Sequence, residues 1–473
     1  LLFIALALEI AFAGVVVDYG QEQIIVGWYN NTAAEVLTDF NGKRSVASKV
    51  AWRCNYHDYA YGYAADSIVG IQSINEISPI YGTKEDIPEC QPTHDMTSIL
   101  AFQMDNIFYK LGNDSHVSLT NLTKLDSRNP PYFIIPSTFT PHDMERIRLI
   151  VPNAQFIPRH LLHTSMIINS VNKKIITSKK EFLVIECGAH DTRITRVGVN
   201  GTQYTVIEHV IVPLNVNKLN EALATLIGSV RGNVERQALM KQVDELRVKL
   251  SSNQEIQMYI EELEKNVTVT REQYNDVIAP IISSFEAVLQ RIKNEISEES
   301  SVFVIGGLSY TPRIKEIIES TFGNYSIRLS GDNTLVDSAR MYISLKNMYN
   351  SPISIIDTIP YDVSIKINDE ETPFLHANNL TVQPGQFISI TIPKTDKVEF
   401  IQHIPGDDST TEKPVRVFSL EGMKEEGSLV LRVDTLEGGV ISSPRVDNVV
   451  MKEVLSFNST AITEEIEVNR KAQ

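Results

Sequence analysis

The chain has little cysteine and a deficit of positive charge. Only 3 cysteines occur in 473 residues, which is too few for a disulfide scaffold. Cys54 and Cys90 could pair in an oxidising compartment, and Cys187 is then expected to be a buried, unpaired thiol. Lys and Arg number 43 against 59 Asp and Glu, a net charge of −16. Such a chain repels a polyphosphate backbone, so we expect no nucleic-acid partner.

Long hydrophobic runs are also missing, except for the first thirteen residues, LLFIALALEIAFA. This run is too short for a membrane span and ends in the small-x-small pattern of a signal-peptidase site. It therefore predicts a signal peptide at 1–13 and a mature chain without a membrane span; the alternative is a buried first strand. Eight Asn-x-Ser/Thr sequons favour glycosylation in the secretory pathway. The sequons begin at Asn30, Asn113, Asn121, Asn200, Asn266, Asn324, Asn379 and Asn458.

What the sequence does contain is a strand-turn-strand pattern that occurs twice. Residues 14–29 read as two strands around Asp18-Tyr19-Gly20, and residues 182–186 and 192–199 flank a turn with Gly188. The repetition predicts two related α/β lobes that close on a ligand. Between these patterns, periodicity predicts a helix over 95–111 and a strand over 148–151.

The second half begins with helical signal over 219–299, interrupted at 251–253, which we interpret as packed helices rather than a coiled coil. A buried strand over 301–309 then runs into Gly306-Gly307 and a helix over 314–320, so bare backbone amides can approach a phosphate or nucleoside. From 358 to 455 apolar and polar residues alternate, which predicts an antiparallel β domain. Residues 349–357 form an apolar linker that is expected to dock, and 456–473 a polar tail.

This order of elements resembles the seventy-kilodalton heat-shock chaperone family over nearly the whole chain. Asp18-Tyr19-Gly20 is similar to the family's first phosphate loop, Glu186-Cys187-Gly188 to its second, and Val304-Ile305-Gly306-Gly307 to its adenosine loop. The resemblance implies a two-lobed actin-like ATPase-type domain at 14–348, followed by an antiparallel β-sandwich, the substrate-binding-like domain, at 358–455. A first loop without paired threonines, and residues 431–446, resemble the family's large lumenal branch, the glucose-regulated or hypoxia up-regulated proteins. That branch's long helical C-terminal domain is not matched.

The resemblance also implies positions for a nucleotide, as ATP or ADP with Mg, bound weakly. These positions are Asp18, Gly20, Gly188, Asp244, Arg247, Ser251, Gly306 and Gly307. No catalytic residue is expected, because Glu22, Asp66 and Asp191 place carboxylates where relatives have hydroxyls or a lysine. His160 and His163 could share a helix face and bind a metal, but no further ligand follows at suitable spacing, so no metal site is expected.

The sequence supports three functional hypotheses. The first is a chaperone-like protein of the endoplasmic reticulum lumen without ATP turnover, which acts as a holdase or a nucleotide-exchange partner. Its partners would be the lumenal heat-shock chaperone of the ordinary, seventy-kilodalton size and unfolded client proteins. The second is an active ATP-dependent chaperone, and the third is a structural pseudo-chaperone or an incomplete gene model.

Overall fold

The fold is described from a computed structural model of the chain. It describes residues 14–20, 23–30, 33–39, 41–48, 50–52, 59–66, 96–115, 130–136, 139, 141–177, 179–189, 191–231, 233–297, 300–323, 326–328, 331–348, 350–359, 361–378, 386–403, 413–433, 441–446, 449–454 and 458–472. The expected signal peptide, Glu22, both Cys54 and Cys90, and the sequons at Asn121, Asn324 and Asn379 lie outside these residues.

The first lobe is a mixed sheet with helices on its faces. Its elements are β1 (Gly14–Tyr19), β2 (Gln23–Tyr29), β3 (Ala34–Val36), β4 (Val46–Ala47), β5 (Val50–Trp52), β6 (Tyr59–Tyr61), α1 (Tyr63–Asp66), α2 (Met96–Ser115), β7 (Tyr132–Ile135), α3 (Pro141–Ile150), β8 (Gln155–Pro158) and α4 (Arg159–Asn172). The sheet has the order β3-β2-β1-β7-β8, and β4 pairs with β2. Valines at 15, 16 and 17 are buried on both faces of β1, since helices cover both sides of this sheet.

The second lobe repeats this plan. Its elements are β9 (Glu181–Cys187), β10 (Thr192–Asn200), β11 (Gln203–Val212), α5 (Val216–Ile227), α6 (Asn233–Leu250), β12 (Glu255–Ile260), β13 (Lys265–Thr270), α7 (Arg271–Glu295), β14 (Ser301–Ile305), α8 (Pro312–Phe322), β15 (Ser326–Arg328) and α9 (Gly331–Asn347). Its strands follow the order β11-β10-β9-β14-β15. In both lobes the first three strands form antiparallel pairs and the last two are parallel additions. The predicted repeat of two α/β lobes is confirmed.

Two predictions of secondary structure are wrong. Residues 148–151 are predicted as a strand, but 148–150 form the last turn of α3, which runs from Pro141 to Ile150, and Val151 follows it. The strand comes later, at Gln155–Pro158. The nearly all-helical segment 219–299 contains the β12–β13 hairpin. In β13 the buried Val267 and Val269 alternate with exposed residues, which is the two-residue period of a strand.

The apolar linker docks as predicted. Residues Ser354–Ile356 form β16, which pairs in parallel with β11 at the edge of the second lobe's sheet. The linker side chains Ile353 and Ile355 pack against the core that the two lobes share. The linker is therefore part of the sheet.

Beyond the linker the chain forms two antiparallel sheets. The strands are β17 (Asp362–Ile367), β18 (Glu370–Leu375), β19 (Phe387–Ile392), β20 (Lys397–His403), β21 (Lys413–Glu421), β22 (Gly427–Val433), β23 (Ile441–Val446) and β24 (Val450–Glu453). One sheet has the order β18-β17-β20-β21-β24 and the other β19-β22-β23. Both contribute to one hydrophobic core that includes Phe400 and Leu431. The predicted antiparallel pairing is thus observed for this region.

The end of the chain differs from the expected polar tail. Residues Ser459–Ala472 form α10, and its Ile462 and Ile466 are buried in the core of the first lobe. The Arg470 guanidinium donates hydrogen bonds of 2.7 and 3.0 Å to the two carboxylate oxygens of Asp105 on α2. Two isoleucines four residues apart lie on one helix face, so a mostly polar segment still has a side that packs.

Candidate functional site

The two lobes end their first hairpins with the same turn. The Gly20 N–H donates to the Gln23 carbonyl oxygen over 3.0 Å, and the Gly188 N–H donates to the Asp191 carbonyl oxygen over 3.0 Å. A Cβ atom at Gly20 would lie 2.7 Å from the oxygen of Gln23, and one at Gly188 would lie 2.9 Å from that of Asp191. Both predicted phosphate-loop glycines are therefore needed for close backbone approach, and both amides are already used within their turns.

The two glycines after β14 have different roles. Gly306 has a φ of +90°, and a Cβ atom there would lie 2.2 Å from the carbonyl oxygen of Cys187. Gly307 begins a short 3-10 turn over Gly307–Tyr310, and a Cβ atom there would meet nothing within 4 Å. Gly306 is thus required for packing against the end of β9, whereas Gly307 faces open space.

Five buried charged side chains meet where the two lobes join. Arg159, the first residue of α4, pairs with Asp18 of β1, and its Nη1 lies 3.1 Å from Glu186 Oε1 at the end of β9. Arg193 of β10 lies 2.7 Å from Asp191 Oδ1 and 3.4 Å from Glu186 Oε2. All five side chains are at most 8% exposed. We call this group the ion-pair network; it contains two guanidiniums and three carboxyl groups.

The pKa values of its two central carboxyl groups shift in opposite directions. Burial raises the pKa of Asp18, and the opposing attraction of Arg159 does not cancel it. Burial would also raise the pKa of Glu186, but Arg159, a hydrogen bond from His163, and Arg193 together hold it well below its usual range. Glu186 is therefore the ionised centre of the network, because two cations and a donor surround it.

A chain of histidines continues the network away from the ion pairs. His163 Nε2 lies 3.0 Å from Glu186 Oε2, and its Nδ1 lies 2.7 Å from Thr195 Oγ1. The same hydroxyl lies 2.8 Å from His209 Nδ1. Burial lowers the pKa of His163, against the attraction of Glu186. These contacts place a neutral imidazole next to an ionised carboxylate.

His160 and His163, considered above as metal ligands, are both engaged with carboxylates. His160 Nε2 lies 2.9 Å from Asp357 Oδ1 in the linker, and His163 contacts Glu186. Within the described part of the chain, no three His, Cys, Asp or Glu side chains are arranged to hold a metal ion. Cys187, which ends β9, is buried as expected for a small apolar residue.

The predicted adenosine-side residues meet in the helical part of the second lobe. On α6, Arg247 Nη2 lies 2.7 Å from Asp244 Oδ1, and the hydroxyl of Ser251 donates to the Arg247 carbonyl oxygen over 3.4 Å. Asn220 of α5 completes the group, since it donates to Asp244 over 3.0 Å and accepts from Arg247 over 2.9 Å. Fully buried Tyr274 lies close by, and burial raises its pKa. The side chains of Asp244, Arg247 and Asn220 thus satisfy one another.

Sequence reasoning missed Arg159, Thr195, His209 and Asn220. Arg159 follows Pro158 directly at the point where β8 becomes α4, but a single arginine in the sequence does not reveal that its partners lie on β1 and β9. The nucleotide positions predicted from the sequence lie in two separate places. One set is in the loops at the lobe junction, and the other is Asp244, Arg247 and Ser251, at the end of α6 and directly after it. Asp66 lies at the end of α1.

The two lobes have sheets of the same strand order, and buried charged residues meet at their junction. These features define the class of protein: a duplicated α/β body with a candidate site between its halves. Residues 227–427 match the family model described as Hsp70 protein. The chain is also similar to a heat shock protein homolog of Encephalitozoon cuniculi, with 25% identity over 146 residues. That match covers 30% of this chain and about a fifth, 21%, of the relative's length.

These comparisons support the Hsp70 superfamily as the family that the chain resembles. The region matched by the family model contains Asp244, Arg247, Ser251, Gly306 and Gly307, and extends through the linker into the β region. Asp18, Arg159 and Glu186 lie outside it. Among the described helices, none is both long and apolar enough to cross a membrane.

Proposed function

We propose that this protein is a chaperone-like member of the Hsp70 superfamily whose candidate nucleotide site does not turn over ATP. The match of residues 227–427 to the Hsp70 family model and the similarity to a heat shock protein homolog support the superfamily. The absence of turnover is a proposal that is based on the ion-pair network.

The ion-pair network supports this proposal because its arginines and carboxylates, which a nucleotide and its metal ion would need, are already paired with one another. Phosphoryl transfer requires a cation held near the phosphates and donors directed at the developing charge. Here Arg159 and Arg193 are paired with Asp18, Glu186 and Asp191, all buried. A triphosphate that recruited the arginines, or a Mg²⁺ ion that recruited the carboxylates, would leave the former partners as uncompensated buried charges. Each such loss costs about 3–5 kcal/mol.

The adenosine side fits a nucleotide better than the phosphate side does. Asp244 and Arg247 lie one turn apart near the end of α6, Ser251 follows the helix directly, and Gly307 faces open space. The side chains of Asp244 and Arg247 are hydrogen-bonded to each other and to Asn220, so a ribose or adenine has to compete with existing hydrogen bonds. We therefore propose weak ATP or ADP binding through these residues, with the family's Mg²⁺ contributing little.

The remaining parts of the proposal concern place and partners. The apolar leader and the sequons support a lumenal, glycosylated protein of the large branch, with Asn200 at an exposed hairpin end and Asn266 on the exposed side of β13. The two antiparallel sheets after the linker support a β-sandwich of the substrate-binding type. We propose that the protein acts there as a holdase, or as a nucleotide-exchange partner of the lumenal Hsp70 chaperone, toward unfolded clients.

Two measurements on the purified protein test this function. Steady-state ATP hydrolysis, with and without an unfolded client, should equal the buffer rate. Aggregation of a chemically denatured client should be suppressed to the same extent with and without ATP. ATP turnover that disappears in the Asp18→Asn variant would establish the active-chaperone alternative. Failure to suppress aggregation, together with no effect on nucleotide release from an Hsp70 chaperone, would reject the holdase and exchange roles.

A further inference from the structure

The linker and the β region are both attached to one strand of the second lobe. Along β11, Gln203, Tyr204 and Thr205 pair with residues 354–356 of the linker. Further along the same strand, the His209 N–H donates to Asn378 Oδ1 over 2.8 Å, and the Asn378 N–H donates to the Ile359 carbonyl oxygen over 2.7 Å. Strand β11 therefore holds the chain on both sides of the passage from the body into the β region.

A third attachment lies beneath that strand. Asp357 of the linker is 2% exposed, and its Oδ1 lies 2.9 Å from His160 Nε2 on α4. The ring of His160 lies 5.2 Å, centroid to centroid, from the ring of His209. The linker carboxylate, the helix α4 and the ring of His209 thus meet in one buried junction.

The junction does not stabilise a positive charge on the ring of His209. The side chain is 1% exposed, its Nδ1 contacts the Thr195 hydroxyl, and its Nε2 has no hydrogen-bond partner among the described residues. A charged imidazole carries a proton on both nitrogens, so the Nε2–H would be a buried donor without an acceptor.

The titratable and charged side chains around His209 also oppose its protonation. His160 and His163 face it from α4 and Arg193 from β10, while Glu186 on β9 is the attracting carboxylate. Glu186 is already shared by Arg159, Arg193 and His163, and Asp357 of the linker is paired with His160. Burial is the main cause that holds the pKa of His209 well below its ordinary value, and the electrostatic effects of His160, His163 and Arg193 act in the same direction.

We propose that His209 is a proton sensor that keeps residues 353–359 attached to the second lobe while its ring is neutral, and that releases them when the ring becomes charged. The other sides of the ring are the sheet and α4, which belong to the core of the body. The linker and Asn378 are held by a short ladder and a few hydrogen bonds, so they are the part that separates to let water reach the ring.

Hydrogen exchange of the full chain, followed by mass spectrometry between pH 7.5 and pH 5.5, tests this sensor. Protection of the peptide covering residues 350–359 is first corrected for the intrinsic exchange rate. It should then fall by about tenfold for each pH unit below pH ~6.5, because each opening event takes up one proton on His209. Protection of β9, residues 181–187, should not change. The His209→Gln variant should keep the linker protected at every pH. The matched control is His376→Gln, because His376 is an exposed histidine of the β region and should behave like the wild type.

Three results would overturn the proposal: a linker protection that does not depend on pH in the wild type, a loss that occurs equally in β9, or the wild-type pH dependence in His209→Gln. If His209→Gln does not fold, Asp357→Ala provides the second test. It removes the linker's contact with His160, so the peptide should be unprotected already at pH 7.5 and show no further pH effect. A remaining pH-dependent loss of linker protection in Asp357→Ala would equally contradict the sensor.

Discussion

The two lobes share a strand order but differ in what their corresponding hairpins contribute to the site. Among the described residues, the hairpin of the first lobe supplies the carboxyl group of Asp18, whereas that of the second supplies Glu186, Asp191 and Arg193. The first lobe balances these carboxyl groups through Arg159, the residue directly after its last strand. The comparison shows that a duplicated topology fixes where side chains meet, while their charges decide whether the junction is open to a ligand or closed by internal pairing.

The largest change in stability is expected when Arg159, the cation that joins the lobes, is removed. In Arg159→Ala, Asp18 and Glu186 lose a buried partner, and we expect the free energy of unfolding to fall by about 3–5 kcal/mol. Chemical denaturation measures the change. Arg313→Ala is the control, because Arg313 forms an exposed pair with Glu316 and should contribute at most about 0.5 kcal/mol. Equal effects of the two substitutions would show that the network does not hold the lobes together.

The second test concerns α10, the helix near the end of the chain that packs on the first lobe. Ile466 of α10 is 1% exposed, so Ile466→Ala should destabilise the attachment of the helix by about 3 kcal/mol through lost burial and a cavity. Exchange of the α10 amides reports the loss. Val468→Ala, on the exposed side of the same helix, should change stability by less than about 0.5 kcal/mol. If both variants leave α10 equally protected, the helix does not depend on this contact.

Adjacent glycines of the second lobe provide a sharper comparison. Gly306→Ala places a Cβ atom against the Cys187 carbonyl oxygen at a positive φ, and should cost about 2–3 kcal/mol. Gly307→Ala adds the same atom in open space and should cost less than about 0.5 kcal/mol. Thermal or chemical unfolding of the two variants compares them directly. The reverse order of effects would contradict the packing of β14 against β9.

The smallest effect compares a buried tyrosine from each lobe. The Tyr274 hydroxyl in the second lobe has no hydrogen-bond partner among the described residues, so Tyr274→Phe should stabilise the protein by up to about 1 kcal/mol. In the first lobe the Tyr19 hydroxyl donates to Gln103 Oε1 over 2.8 Å, and Tyr19→Phe should cost about 1 kcal/mol or more. Denaturation midpoints measured in parallel should therefore move in opposite directions. A loss of stability in Tyr274→Phe would indicate that its hydroxyl is bonded.

The sequence alone determined the local elements and their repetition. β-rich apolar runs around turn glycines predicted both first hairpins, and the three consecutive buried valines of β1 form such a run. It also predicted the docked linker, since the apolar residues 353 and 355 lose exposure when they pack. The hairpin β12–β13 was missed because six-residue strands inside a long helical segment give a weak periodic signal.

Only the tertiary structure decided what the site contains. Arg159 meets Asp18 across 141 residues of chain, and Asp357 meets His160 across a still longer stretch of sequence, so no local pattern records either pair. Sequence reasoning treated Asp191 as a charge facing a ligand, whereas the fold pairs it with Arg193. The physical reason is that the interaction of two charges depends on their separation and burial, and both are set by chain packing.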